Sequence, residues 1–136
     1  MNELDLAWLG GFVDADGYVC INKNAKQYAP KVGFTNTNAD IIDNVCRILT
    51  DHGVKYQRNL SKPTSKAHKP CWKIVVEGKK RLRVLLPLLI PHLVGKRTQA
   101  TLVAEWCNFE GYRRTVSQHD LELVENVRTL NQTGVR

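Results

Sequence analysis

Apolar and polar positions change period several times along the chain, and each change marks an element. Over about 2–17 the spacing is helical: Leu6, Leu9 and Val13, with Phe12 beside them, form a core-facing stripe. Ala7, Gly10, Gly11 and Asp14 fall at i, i+3, i+4 and i+7, a second face almost bare of side chains until it reaches a carboxylate. Two glycines inside a helix cost about 1 kcal/mol each relative to alanine. That penalty is tolerable where a second helix packs closer than the usual ~8–10 Å. Gly17 supplies a stop.

From there the period is two. Val19, Ile21, Val32 and Phe34 form one face of a strand pair, and Cys20, Asn22, Asn24, Lys31, Gly33 and Thr35 the other, with the polar segment 26–30 as connector. Thr37-Asn38 caps a helix over about 39–51, striped by Ile41, Ile42, Val45, Ile48 and Leu49 and stopped by Gly53. Strands follow near 54–60 and 70–77, the latter turning Trp72, Ile74 and Val76 inward and Lys73 and Val75 outward. The connector 61–69, with Pro63 and Lys62, Lys66 and Lys69, is polar enough to be mobile. Helical spacing returns over 78–90, where Pro87 bends or ends the helix, and over 98–109 before Gly111. Ser117-Gln118-His119-Asp120 resembles a capping box with Asp in place of Glu and opens a last helix, and 134–136 should fray. The order predicts one α+β domain over 1–136, with a core of about 4–110 and a C-terminal helix of about 117–131. Its four-stranded antiparallel sheet carries helices on one face and leaves the other to solvent.

The formal net charge of +7 points to a polyanionic partner, the bland alternative being a lysine-rich soluble surface. Basic residues cluster from Lys55 to Arg83 and again at Lys96 and Arg97. No apolar run reaches the ~20 residues of a membrane span, so no membrane partner is expected. The N-terminus has neither a secretion signal nor the composition of a transit peptide. Cys20, Cys46, Cys71 and Cys107 lack metal-site spacing and read as reduced thiols, placing the chain inside a cell, in a chloroplast, a mitochondrion or a bacterial or archaeal cytoplasm. An EF-hand starting at Asp14 fails at Val19 and Ala25, and a Walker A loop fails at Ile90 and Arg97. Asp14 and Asp16 sit where the helix macrodipole is negative, which makes sense if something positive is held there, a divalent metal being the leading candidate.

Leu9 to Gly17, Leu-Gly-Gly-Phe-Val-Asp-Ala-Asp-Gly, resembles the LAGLIDADG motif of homing endonucleases, with Gly10 where alanine is usual and Phe12 and Val13 in the two apolar slots. The resemblance implies an αββαββα core whose saddle-shaped sheet lies along DNA, as in enzymes encoded within introns. With one motif per chain it implies a homodimer, meeting through Ala7, Gly10, Gly11 and Asp14. It also implies a staggered, double-strand cut in a near-palindromic site of roughly 20 bp. The implied cofactor is Mg²⁺, with Mn²⁺ or Ca²⁺ able to substitute in binding, held by Asp16 and the Ala15 carbonyl. Asp14 is either a metal-site helper or a hydrogen-bonding group at the helix end. Pro91 to Ala100 resembles the family's P-x-L-x-x-K-x-x-Q-A region, which makes Lys96 the cation facing the reacting phosphate. Asn38 either orders water or only caps its helix, and Ile42 stands where some relatives carry an arginine. Resemblance and alternation together offer Asn22, Asn24, Lys31, Thr35, Arg58 and Lys73 as contacts to bases or phosphates, with Tyr56 a weaker candidate. The alternatives are a non-cleaving DNA-binding regulator or RNA-splicing maturase on the same scaffold, or a general basic RNA-binding protein.

Overall fold

The computed structural model describes residues 2–24, 27–61, 69–108 and 118–132. The expected mobile connector, the capping box at Ser117, Gly111 and the fraying tail lie wholly or partly outside them. The order is α1 (Glu3–Asp16), β1 (Gly17–Asn24), β2 (Gln27–Asn36), α2 (Ala39–Asp51), β3 (Gln57–Ser61), β4 (Cys71–Glu77), α3 (Lys79–Leu89), a 3₁₀ turn (Ile90–His92), α4 (Arg97–Cys107) and α5 (Gln118–Gln132). The strands form one antiparallel sheet in the order β1-β2-β4-β3.

Asn2 and Asn38 start α1 and α2 by accepting two backbone N–H groups each on a side-chain oxygen, the usual work of an N-cap. α3 runs through Pro87 for two further residues and then tightens into the 3₁₀ turn, which carries Pro91 near its start. The expected connector at 26–30 is instead strand. Pro30 stands opposite Ile21 of β1 but one residue past the end of β4, which stops at Glu77 opposite Lys31, so the N–H it lacks is not called for on the β4 side. Its carbonyl accepts from Gly78.

Cross-strand pairs face the same way, so register fixes the two faces of the sheet. Val19, Val32, Phe34, Ile74 and Val76 point to the helices and are buried with Leu9, Val13, Leu85, Leu89 and Val103 in one core. The four cysteines are free thiols, and burial pushes that of Cys107 up to about 12. Toward the open face point Tyr18, Cys20 and Asn22, then Lys31, Gly33 and Thr35, then Lys73, Val75 and Glu77.

The two glycines of α1 part company. A Cβ on Gly10 would stand 2.7 Å from the His92 Cβ and 2.8 Å from the His92 carbonyl oxygen, so Gly10 is bare to admit the 3₁₀ turn of its own chain. The expectation that Gly10 belongs to a surface shared between two copies is therefore corrected. Gly11 has nothing within 4 Å of such a Cβ. It lies on an exposed stripe with Leu4, Ala7, Trp8 and Ala15, spaced as one helical face. Gly10→Ala is expected to destabilise the fold by roughly 1–3 kcal/mol despite alanine's better helix propensity, because backbone must move. Urea denaturation measures it, and unchanged stability would contradict the packing.

Candidate active site

A helix leaves its last four carbonyls without partners in its own ladder. In α1 the Gly17 N–H still closes on the Phe12 and Val13 carbonyls, and those of Asp14, Ala15 and Asp16 follow without one. The Lys96 ammonium donates to the Val13 carbonyl at 2.8 Å and the Asp14 carbonyl at 3.1 Å. The Thr35 hydroxyl donates to the Asp16 carbonyl at 3.3 Å. Among the described residues, none donates to the Ala15 carbonyl.

Lys96 is only 6% exposed, and its charge rests against the negative end of the helix, where those carbonyls pair it. The positive group inferred from the acids at this terminus is thus present within the chain, as an ammonium ion. Asp14 completes the clasp: its two carboxylate oxygens accept the Val94 N–H at 2.7 Å and the Lys96 N–H at 2.9 Å. That is the hydrogen-bonding alternative for Asp14. It also turns the side chain onto its own protomer, so Asp14 is corrected as a residue of the pairing surface.

Asp16 differs. It is exposed, and among the described residues its carboxylate has no hydrogen-bond or ion-pair partner. It opens on a cleft of about 450 Å³ walled by Ala15, Asp16, Gly17 and Tyr18, by Lys96 at the start of α4 and Gln99 within it, and by Leu130 and Asn131 of α5. Asn131 ties that last wall down by donating to the Val19 carbonyl at 3.0 Å. A larger cleft, about 900 Å³, runs between α5 and β1 and contains neither acid. A free carboxylate and a free carbonyl on adjacent residues are hard oxygen donors, which fit a Mg²⁺-class ion that takes its other ligands from water or phosphate. Asp16 and Ala15 would hold it. Asp14, with both oxygens engaged, is a support for the loop.

Asn38 does not reach this cleft; its side-chain oxygen accepts the Asp40 and Ile41 N–H groups at 2.9 and 3.3 Å. The cap alternative therefore describes it. Of the expected nucleic-acid contacts, Asn22 and Lys73 are exposed on the open face and Asn24 takes an open-face register position. Lys31 is there too, 3.8 Å from Glu77, and Thr35 is shared with the Asp16 carbonyl. Arg58 and Tyr56 are corrected. Arg58 pairs in register with Ile74 and so faces the helices, where it meets Asp43 at 2.8 Å and lies 4.5 Å above the Trp72 ring. Tyr56 is half-buried against the core. The open face of β3 carries Gln57, Asn59 and Ser61 instead, which register alone reveals. Tyr18 was also missed: its ring lies over Gly33, where a Cβ would overlap it, and the Lys73 ammonium sits 5.9 Å from the ring.

The LAGLIDADG-like domain model matches residues 3–89. An uncharacterised protein of Methanocaldococcus jannaschii is 39% identical over 54 residues, which are 40% of this chain and 20% of that protein, so the chain spans about a fifth of that relative's length at the match. The homing endonuclease I-CvuI, crystallised on the I-CreI target with Mg and its DNA uncleaved, is 24% identical with a TM-score of 0.57, over 96% of this chain and 94% of that one. The LAGLIDADG meganuclease I-AabMI, bound to uncleaved DNA, is 13% identical with a TM-score of 0.64, over 94% of this chain and 44% of that one. At these identities the likeness to both structures is one of fold.

Proposed function

The chain belongs to the LAGLIDADG-like family, and from that premise we propose that it is a homodimeric, site-specific DNA endonuclease. It makes a metal-dependent, staggered double-strand cut in a long, near-palindromic target. The observation that carries this reading is the Asp16 carboxylate beside the Ala15 carbonyl, both unpaired among the described residues, in one cleft with a buried lysine. The open polar sheet face adjoins that cleft through Tyr18, which lines it, and supplies donors and acceptors for base edges and phosphates. A divalent ion in the cleft supplies charge neutralisation at the phosphate and a more acidic water. Asp16 and Ala15 hold it, while Lys96 stiffens the end of α1 and sets positive potential where phosphate charge grows.

Each protomer brings one unpaired acid. The single acidic motif, Leu9 to Gly17, supports pairing of two copies. The exposed stripe Leu4, Ala7, Trp8, Gly11 and Ala15 is apolar and ends beside Asp16, so an isologous pairing there brings both acids to one duplex. A non-cleaving DNA-binding or maturase role has its own support, since Asn38 and much of the Lys96 donor capacity serve the fold. Incubating a plasmid library of palindromic sites with the protein and Mg²⁺, then EDTA, separates the two readings. Linear product only with Mg²⁺ supports the nuclease, and binding without any nick supports the second reading.

Lys96→Met is expected to lower the single-turnover rate well beyond any loss of DNA affinity. It should also destabilise the fold by about 1–3 kcal/mol, because two carbonyls lose their donor. An unchanged rate would remove Lys96 from the reaction.

A further inference from the structure

Register sets Lys31 of β2 opposite Glu77 of β4 on the open face of the sheet. Among the described residues, Glu77 is the one acid at the strand positions of that face. An acid there repels the phosphates that a basic chain attracts, so it costs DNA affinity unless it has a use. The Lys31 ammonium stands 3.8 Å from a Glu77 carboxylate oxygen, with the side chains 21% and 31% exposed. That separation is too long for a hydrogen bond, so the head groups pair by charge and keep donors and acceptors for a third partner. An ion pair this open to water also contributes little to stability.

Resting on the nuclease reading, we propose that Lys31 and Glu77 together determine specificity by reading one G·C base pair in each half of the target. In the major groove guanine shows two acceptors, O6 and N7, and its cytosine shows the N4 donor beside that O6. A cation and a carboxylate held 3.8 Å apart match this edge in one orientation, Lys31 on guanine and Glu77 on cytosine. An A·T pair offers Lys31 a single acceptor on either base, and thymine crowds its own with the 5-methyl group. A phosphate would satisfy Lys31 alone and be repelled by Glu77. Thr35, whose hydroxyl holds the Asp16 carbonyl, lies four residues along β2 from Lys31. That is about 13 Å of strand, or about four base pairs, so the G·C pair belongs about four base pairs outward from the phosphate facing Asp16.

The test uses the full chain, selecting bound duplexes with Ca²⁺ from a library randomised over the half-site and then measuring their cleavage with Mg²⁺. Wild type is expected to favour G·C at one position of that segment by on the order of 10- to 100-fold. Glu77→Gln should lose most of this preference, because an amide donates as well as accepts. The exchange Lys31→Glu with Glu77→Lys keeps the ion pair, so it should melt close to wild type and select C·G at the same position. A pair that serves only the sheet would leave the selected sequence unchanged in both variants, and that result overturns the proposal. So does a wild-type site that is cut but shows A·T or no preference there, which leaves the nuclease reading standing. A G·C preference that the exchange inverts, in a protein that cuts no selected site with Mg²⁺, keeps the readout and overturns the nuclease reading.

Discussion

Asp16→Asn is expected to abolish cutting, with a rate loss of at least about 10³-fold, or ~4 kcal/mol of barrier. Folding should be unaffected, because the side chain is exposed and, among the described residues, unpaired. DNA affinity in EDTA should hold or rise, since the change removes a negative charge that faces phosphates. This combination is informative. A residue that merely supported the cleft would lose stability along with rate, as Asp14→Asn should, because the Asp14 carboxylate holds the Val94 and Lys96 N–H groups. Filter binding beside single-turnover cleavage makes the measurement, and turnover retained by Asp16→Asn would refute the metal-ligand assignment.

Gly11→Leu should break the dimer. Nothing lies within 4 Å of a Cβ at Gly11, so the protomer accommodates a larger residue, and the helix itself gains about 1 kcal/mol in propensity. The penalty falls only where a second backbone approaches. Sedimentation at micromolar concentration is expected to show a folded monomer, and cleavage should collapse with the loss of the second acid. Gly10→Ala provides the contrast: it should weaken the fold and leave the oligomeric state of the folded fraction alone, because its obstacle is His92 of the same chain. A Gly11→Leu protein that sediments as a normal dimer would place the interface elsewhere.

These two glycines show where the sequence stopped being informative. A helical wheel puts Gly10 and Gly11 on one bare face. Which of them admits the chain's own 3₁₀ turn depends on a segment some 80 residues away in sequence. Elements with strong periodicity were legible: β1, β2 and β4 alternate in sequence as they do in the sheet. β3 was not, because Gln57–Ser61 is exposed throughout and no apolar alternation marks its inner face. The buried Val54 belongs to the turn after α2, where its N–H bonds the Leu49 carbonyl. With no apolar alternation over Gln57–Ser61, only the register with Ile74 turns Arg58 to the helices.

The cleft was half legible. The acids and the lysine stand in recognisable motifs, but the fate of each depends on tertiary contact. Lys96 is buried only because the end of α1 offers it carbonyls, and Asp14 is occupied only because the segment leading into α4 crosses it.

The central claim is that two copies meet along the exposed stripe of α1 and so present Asp16 from each to a single duplex. A crystal structure of the protein on its selected DNA with Ca²⁺ tests it most directly. The account predicts Gly11 in contact with the partner's Gly11 and both Asp16 carboxylates at the central phosphates, with the β1-β2-β4-β3 sheet in the flanking grooves. An α1 stripe facing solvent, or Asp16 far from any phosphate, would contradict it.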